Sequence, residues 1–297
     1  MHKSAAWRCA LWLALGWLSL QVAHAVPNTQ SVNTTWIEVN GVTLRYELSG
    51  TGNNTLVLLH EMGMSLETWD LIMPELTKNY RVLRYDLRGF GLSEKIRGAV
   101  TFSDEVEDLH ALLKALQIDG KVTLIGGAIG GATALAYAAT YPDEVRGVVA
   151  MSPAAGVAPA GRAGVMARAA LVQNQPMRPI VDNDLLDIYP KSIQGDPARV
   201  ARFRHIQLAT DSDSMAASLR MIGITDFYAD YFPKIKSPAL IIAASLYAAR
   251  PVESVKAIAD AIKGAQFEVL PTGHFIALQS PEMLMPVLNR FLGKLPK

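Results

Sequence analysis

The stretch Val122–Ala132, Val-Thr-Leu-Ile-Gly-Gly-Ala-Ile-Gly-Gly-Ala, constrains this chain more than any other. It opens as a short apolar run of strand type, and the alanine-rich run from Ala132 to Ala139 after it has helical character. The glycines between them, framed by Gly126 and Gly130, let the backbone pass close to itself in a sharp strand-to-helix turn. A strand that is apolar throughout and feeds directly into a helix belongs to a mostly parallel sheet covered on both faces. At the point of the turn stands Ala128, whose methyl group has no nucleophilic atom. The glycine cluster also looks superficially like a phosphate loop, but the Lys-Ser/Thr pair that such a loop requires is missing.

The flanking sequence extends the same rhythm. Alternating runs on either side of Asn40-Gly41 predict a hairpin. Strands are expected at Thr55–Leu59 and Arg81–Tyr85, with a helix over Leu66–Lys78 between them that turns Trp69, Ile72, Met73 and Leu76 to one side. A helix starts at Ser103 and runs to about Leu116, and strands follow at Lys121–Ile125 and Arg146–Met151. The rhythm stops between Pro153 and Lys236, a stretch rich in Ala, Met and Arg that reads as a helical insertion. It resumes with a strand from Ser237, a helix over Val252–Lys263, a strand at Gln266–Leu270 and a last helix over Pro281–Leu292. The expected fold class is α/β, a mostly parallel central sheet with helices on both faces and a helical cap. The divisions are a leader over 1–25, core over 26–152, cap over 153–236 and core again over 237–297.

The leader is a matter of pattern rather than fold. Lys3 and Arg8 precede an apolar run over Cys9–Leu20, and Ala23-His-Ala25 supplies an A-x-A cleavage pattern. This predicts a secretory signal peptide and export to the periplasm or the extracellular space. The run is short of the roughly 20 residues a spanning helix needs, so no stable membrane span is expected after cleavage. The one cysteine, Cys9, lies within it, which leaves the mature chain without a thiol nucleophile, disulfide or thiolate ligand. A net charge of +1 without a run of Lys and Arg gives no electrostatic reason to expect nucleic acid. No dinucleotide fingerprint or His/Asp metal-ligand spacing occurs, so neither cofactor nor metal is expected.

Four landmarks in order resemble the α/β-hydrolase superfamily over about Trp36–Leu295. They are Leu59-His60-Glu61-Met62-Gly63 after the third strand, Asp86-Leu-Arg-Gly-Phe-Gly91-Leu-Ser93 after the fourth, the Gly126–Gly131 turn and Gly273-His274. The chain looks most like small-molecule esterases, enol-lactonases and C–C hydrolases. The resemblance implies a nucleophile at 128, an acid after the seventh strand and a histidine at 274. Here the nucleophile position holds Ala128, the acid position holds Tyr247, and Met151-Ser152-Pro153, where some members carry the acid, has no carboxylate. Only His274 remains, a candidate general base.

Ala128 reads either as a serine replaced to trap a substrate or as the natural residue. The second missing group, at 247, favours the natural residue, because triad members act as a unit. The backbone N–H groups of Met62 and Ile129 are candidate oxyanion donors, which need no particular side chain. Glu61 is a tentative source of a carboxylate for water activation, weighed against a solvated place at the rim. Tyr247 is a candidate hydrogen-bond donor to His274 or a ligand. His60 and Asp86 are expected to brace loops, Asp86 together with Arg88. Met166, Met177, Met215, Met221, Phe227, Tyr228, Tyr231 and Phe232 suggest an apolar cavity under the cap. The partner expected is therefore a small apolar ester, lactone or ketone-like molecule. Either it is hydrolysed without a serine through His274, or the chain is a pseudo-hydrolase that binds a ligand or a partner without turnover.

Overall fold

The computed structural model describes residues 34–296. The leader, its cleavage pattern and Cys9 lie outside the described residues.

The strands are β1 (Thr34–Val39), β2 (Val42–Ser49), β3 (Thr55–Leu59), β4 (Arg81–Tyr85), β5 (Val122–Gly127), β6 (Val145–Met151), β7 (Ala239–Ala244) and β8 (Gln266–Leu270). They form one sheet in the order β1-β2-β4-β3-β5-β6-β7-β8. The pairs β1/β2 and β2/β4 are antiparallel, and every pair from β4 to β8 is parallel. Val39 pairs with Val42 across a two-residue turn in which Asn40 (φ 47°) and Gly41 (φ 71°) both take the left-handed conformation, the geometry Asn-Gly favours.

The helices are α1 (Met73–Leu76), α2 (Phe102–Ala115), α3 (Ala128–Thr140), α4 (Pro159–Asn174), α5 (Met177–Ile188), α6 (Pro197–Leu208), α7 (Ser212–Ile224), α8 (Phe227–Asp230), α9 (Val252–Ala261), α10 (Ile276–Gln279) and α11 (Pro281–Leu292). Alternate residues of the central strands feed opposite layers. Val57 and Leu59 join Leu109, Leu135 and Phe102 on one face, while Leu56 and Leu58 join Trp69, Ile276 and Leu288 on the other.

Two expectations shift. The helix expected over Leu66–Lys78 is a 3-10 turn at Leu66–Trp69 followed by the one-turn α1, which has Pro74 in its first turn. The buried side is nevertheless as expected, since Trp69, Ile72, Met73 and Leu76 are all inside. The second helix starts at Phe102 rather than Ser103, because Thr101 caps it. The Asp104 N–H donates to Thr101 Oγ1 at 3.2 Å, and the Thr101 N–H donates to Asp104 Oδ2 at 2.8 Å.

Helices α4 to α8 fall between β6 and β7. They are tied to the loops at the carboxyl ends of the strands. Ser214 Oγ accepts from the Ile96 N–H at 3.0 Å, Thr210 Oγ1 donates to the Gly63 carbonyl at 3.1 Å, and Arg202 pairs with Asp70. No helix among the described residues is long and apolar enough to cross a membrane.

Candidate functional site

The elbow is built by close backbone approach. A Cβ on Gly126 would lie 2.3 Å from the Gly130 carbonyl oxygen, and one on Gly130 would lie 2.2 Å from the Leu59 carbonyl oxygen. Glycine is therefore required where β5 turns into α3 beside β3. Ala128 holds the turn at φ 46°, a left-handed conformation that costs an L-residue about 1–2 kcal/mol. Its carbonyl accepts from the Ala154 N–H at 2.8 Å, which pins the loop after β6 to the elbow. The turn thus keeps its strained geometry while presenting only a methyl group.

Ala128 lies at the floor of a cavity of about 270 Å³. Met62, Ile129, Ser152, Tyr247, Arg250 and His274 join it from the strand ends, and Arg168, Met177, Asp184, Phe203, Gln207 and Met215 come from the inserted helices. The Ile129 N–H sits in the first turn of α3, where amides have no intrahelical acceptor. The Met62 N–H makes no hydrogen bond within the described chain.

His274 follows β8. The loop is ordered by Gln279, whose Oε1 accepts from the Phe275 N–H at 2.9 Å and whose Nε2 donates to the Ile188 carbonyl at 2.8 Å. The imidazole Nδ1 is buried with no hydrogen-bond partner among the described residues. Tyr247 lies over the ring, with centroids 4.3 Å apart and planes inclined by 32°. Of the two expected partners of the Tyr247 phenol, His274 is corrected: the two rings lie against each other at a tilt with no hydrogen bond between them, and the Nδ1 that a carboxylate would orient is left alone. Desolvation, with the Arg250 guanidinium acting in the same direction, pushes His274 down to about 3, so it is neutral at physiological pH.

Glu61 is also corrected. It is fully buried, neither of its oxygens is hydrogen-bonded, and it is absent from the cavity wall. It packs behind the elbow, where a Cβ on Gly127 would meet its Oε1 at 2.4 Å. Burial raises its carboxyl from 4.5 to about 7. A side chain expected at the rim or in the chemistry is thus a sealed carboxyl beneath the floor.

His60 braces its loop as expected. Its Nε2 accepts from the Leu87 N–H at 2.9 Å, which requires the proton to sit on Nδ1, and Nδ1 donates to the Glu61 carbonyl at 2.8 Å. Asp86 is structural too, but its partner is Arg45 at 2.5 Å, together with the Leu66 and Leu92 N–H groups, each at 2.7 Å. Arg88 instead pairs with Asp108 of α2 at 2.6 Å.

The expected apolar lining divides. Met177 and Met215 face the cavity. Met166 is largely exposed, Met221 is core, and Phe227 packs against Phe102 with ring centroids 4.8 Å apart. The inserted segment must build its own core as well as a roof, and periodicity does not separate the two uses.

A protein-family model described as alpha/beta hydrolase fold matches residues 54–281, more than half of the chain. The chain belongs to the α/β-hydrolase fold family. Among similar proteins is the 2-hydroxy-6-oxo-6-(2'-aminophenyl)hexa-2,4-dienoic acid hydrolase of Metapseudomonas resinovorans, 24% identical over 87% of this chain and 90% of that one. Among solved structures, a hydrolase from Pseudomonas aeruginosa PA01 matches with a TM-score of 0.81 at 29% identity, covering 89% of this chain and 99% of that one. The enol-lactonase from Burkholderia xenovorans LB400 matches with a TM-score of 0.79 at 28% identity, covering 88% and 100%.

Within this α/β-hydrolase fold, the structure brings Ala128, Tyr247, His274, Met62 and Ile129 to one cavity and leaves Glu61 outside it. Sequence reading missed Arg250, and it noted Ser152 only as part of a segment without a carboxylate. Ser152 directly follows β6 at φ 39°, and its Oγ accepts from the Ala244 N–H at 3.3 Å. Arg250 stands three residues after Tyr247 and directly before Pro251, a position that signals a cation in the loop where an acid was sought.

Proposed function

We propose that this member of the α/β-hydrolase fold family binds a small, largely apolar molecule bearing an ester, lactone or ketone-like carbonyl, and does not turn it over by a serine route. The observation that carries this reading is the orphaned His274 Nδ1 under the Tyr247 ring, beside a methyl group at the elbow. A nucleophile needs a base, and the base needs an orienting partner; here the first and third groups are absent. The Met62 and Ile129 amides supply a place for a carbonyl oxygen, because backbone donors survive the loss of catalytic side chains. The similar proteins named for a dienoic acid and an enol-lactone support a carbonyl ligand. We take the protein to be exported, on the leader pattern in the sequence.

A second reading, in which His274 activates water, draws on its neutral imidazole within the cavity. A group held at about 3 is a weak base at neutral pH, far from the match between pKa and working pH that general-base catalysis favours.

Both readings meet in one experiment. The mature protein and its His274→Ala variant are assayed against activated esters and lactones, alongside a fluorophosphonate probe and thermal-shift measurement with the unreactive amide analogues. The expected outcome is no labelling, no turnover above the variant and a raised melting temperature with the analogues. Turnover that disappears in His274→Ala would replace the first reading with the second.

A further inference from the structure

Arg250 lies near the end of the loop between β7 and α9, directly before Pro251, and its side chain lines the cavity together with Tyr247 and His274. Arginine has five N–H donors. Nη2 donates to the carbonyls of Pro153 and Ala155, which anchors the loop after β6. Among the described residues, Nε is buried without an acceptor and Nη1 makes no hydrogen bond.

The charges around it do not cancel. Arg168, the other cation of the cavity wall, is ion-paired with Asp184, while no carboxylate among the described residues lies within ion-pair distance of Arg250. Desolvation lowers Arg250 to about 10, opposed only by the phenols of Tyr247 and Tyr228, so it remains a cation at neutral pH. His274, its neighbour, is neutral. The cavity wall therefore carries one net positive charge that is half-buried and has no counter-charge among the described residues, and desolvating a charge without a partner is costly. Bracing two carbonyls accounts for Nη2. It does not require a full charge, since a neutral amide also donates two hydrogen bonds.

We propose that Arg250 is the anion-binding residue of this cavity, and that the ligand carries a carboxylate that meets Nη1 while its apolar body lies along Met177, Phe203 and Met215. The inference rests on the reading of the cavity as a ligand site and adds the chemical class of the ligand. The carboxylate supplies the missing counter-charge, and its charge-assisted hydrogen bonds are the strong kind.

The test compares 4-phenylbutyrate with its amide and its methyl ester by calorimetry on the full protein at neutral pH. The acid is expected to bind about tenfold or more tighter than the amide, the size of one charge-assisted hydrogen bond. In Arg250→Gln that ratio falls toward one, and in Arg250→Lys part of it returns. A merely structural Arg250 would change overall affinity or folding without moving the acid-to-amide ratio. Binding of amide and ester with no advantage for the acid overturns the carboxylate proposal and leaves the ligand site standing. An acid preference that persists in Arg250→Gln overturns the role of Arg250. Failure of all three compounds to bind overturns both readings. Should Arg250→Gln fail to fold, the wild-type ratio and the lysine variant decide.

Discussion

Glu61 buries a carboxyl group with neither oxygen hydrogen-bonded, and this couples folding to pH. Its folded value of about 7 lies above the ordinary 4.5, so between those two values the unfolded chain releases a proton that the folded chain keeps. Stability is then lost as pH rises through that window and is fully present below it. The shift corresponds to something on the order of 3 kcal/mol. Glu105, buried and raised to about 8, acts in the same direction. Glu61→Gln is therefore expected to leave the melting temperature near wild type at pH 4 and to raise it by about 5 °C or more at pH 8. Parallel curves of melting temperature against pH for the two proteins would show that Glu61 has the same proton affinity folded and unfolded. At this scale the sequence was least informative. Glu61 was legible as an unexpected charge beside His60, but whether it faced solvent, ligand or core depended on how Gly127 and Thr68 close over it.

At the scale of elements, the elbow is the most sequence-determined part of the molecule. The glycines that frame it are required by backbone atoms 2.2 and 2.3 Å from a hypothetical Cβ, contacts no rotamer change can relieve. Gly130→Ala is expected to lower stability by about 1–3 kcal/mol, read as a shift in the urea midpoint. A neutral result would mean that α3 can move away from β3 at little cost. The hairpin at Asn40-Gly41 and the run of parallel strands were legible for similar reasons, since turn chemistry and apolar runs are local signals. The segment after β3 was less so. Its apolar spacing suits a helix, but Pro74 removes a backbone donor and the chain breaks into two short turns that bury the same side chains.

At the scale of the whole molecule, the site is an assembly of strand ends. Ala128 follows β5, Tyr247 follows β7 and His274 follows β8, and these strands lie within the consecutive run β5-β6-β7-β8 of the sheet. Restoring one group does not restore the unit. Ala128→Ser alone is expected to leave ester hydrolysis near background. Ala128→Ser combined with Tyr247→Asp is expected to raise kcat by about 10²–10⁴ over the single variant, because a carboxylate would then orient His274 Nδ1 and stabilise its charged form. Steady-state assays on an activated ester check this, and high activity in Ala128→Ser alone would mean that another group already serves His274.

The sequence by itself determined the α/β-hydrolase fold, the sharp turn at Gly126–Gly131, and the absence of nucleophile and acid side chains at 128 and 247. These follow from local rules of backbone freedom, apolar period and side-chain chemistry. Only the tertiary structure decided that the Tyr247 ring packs at a tilt on His274 instead of bonding to it, that Glu61 is sealed beneath the floor, that Met177 faces the cavity while Met221 does not, and that Arg250 is the cation of the cavity without a carboxylate partner among the described residues. Burial and charge pairing depend on which distant segments meet, and no local pattern encodes those distances.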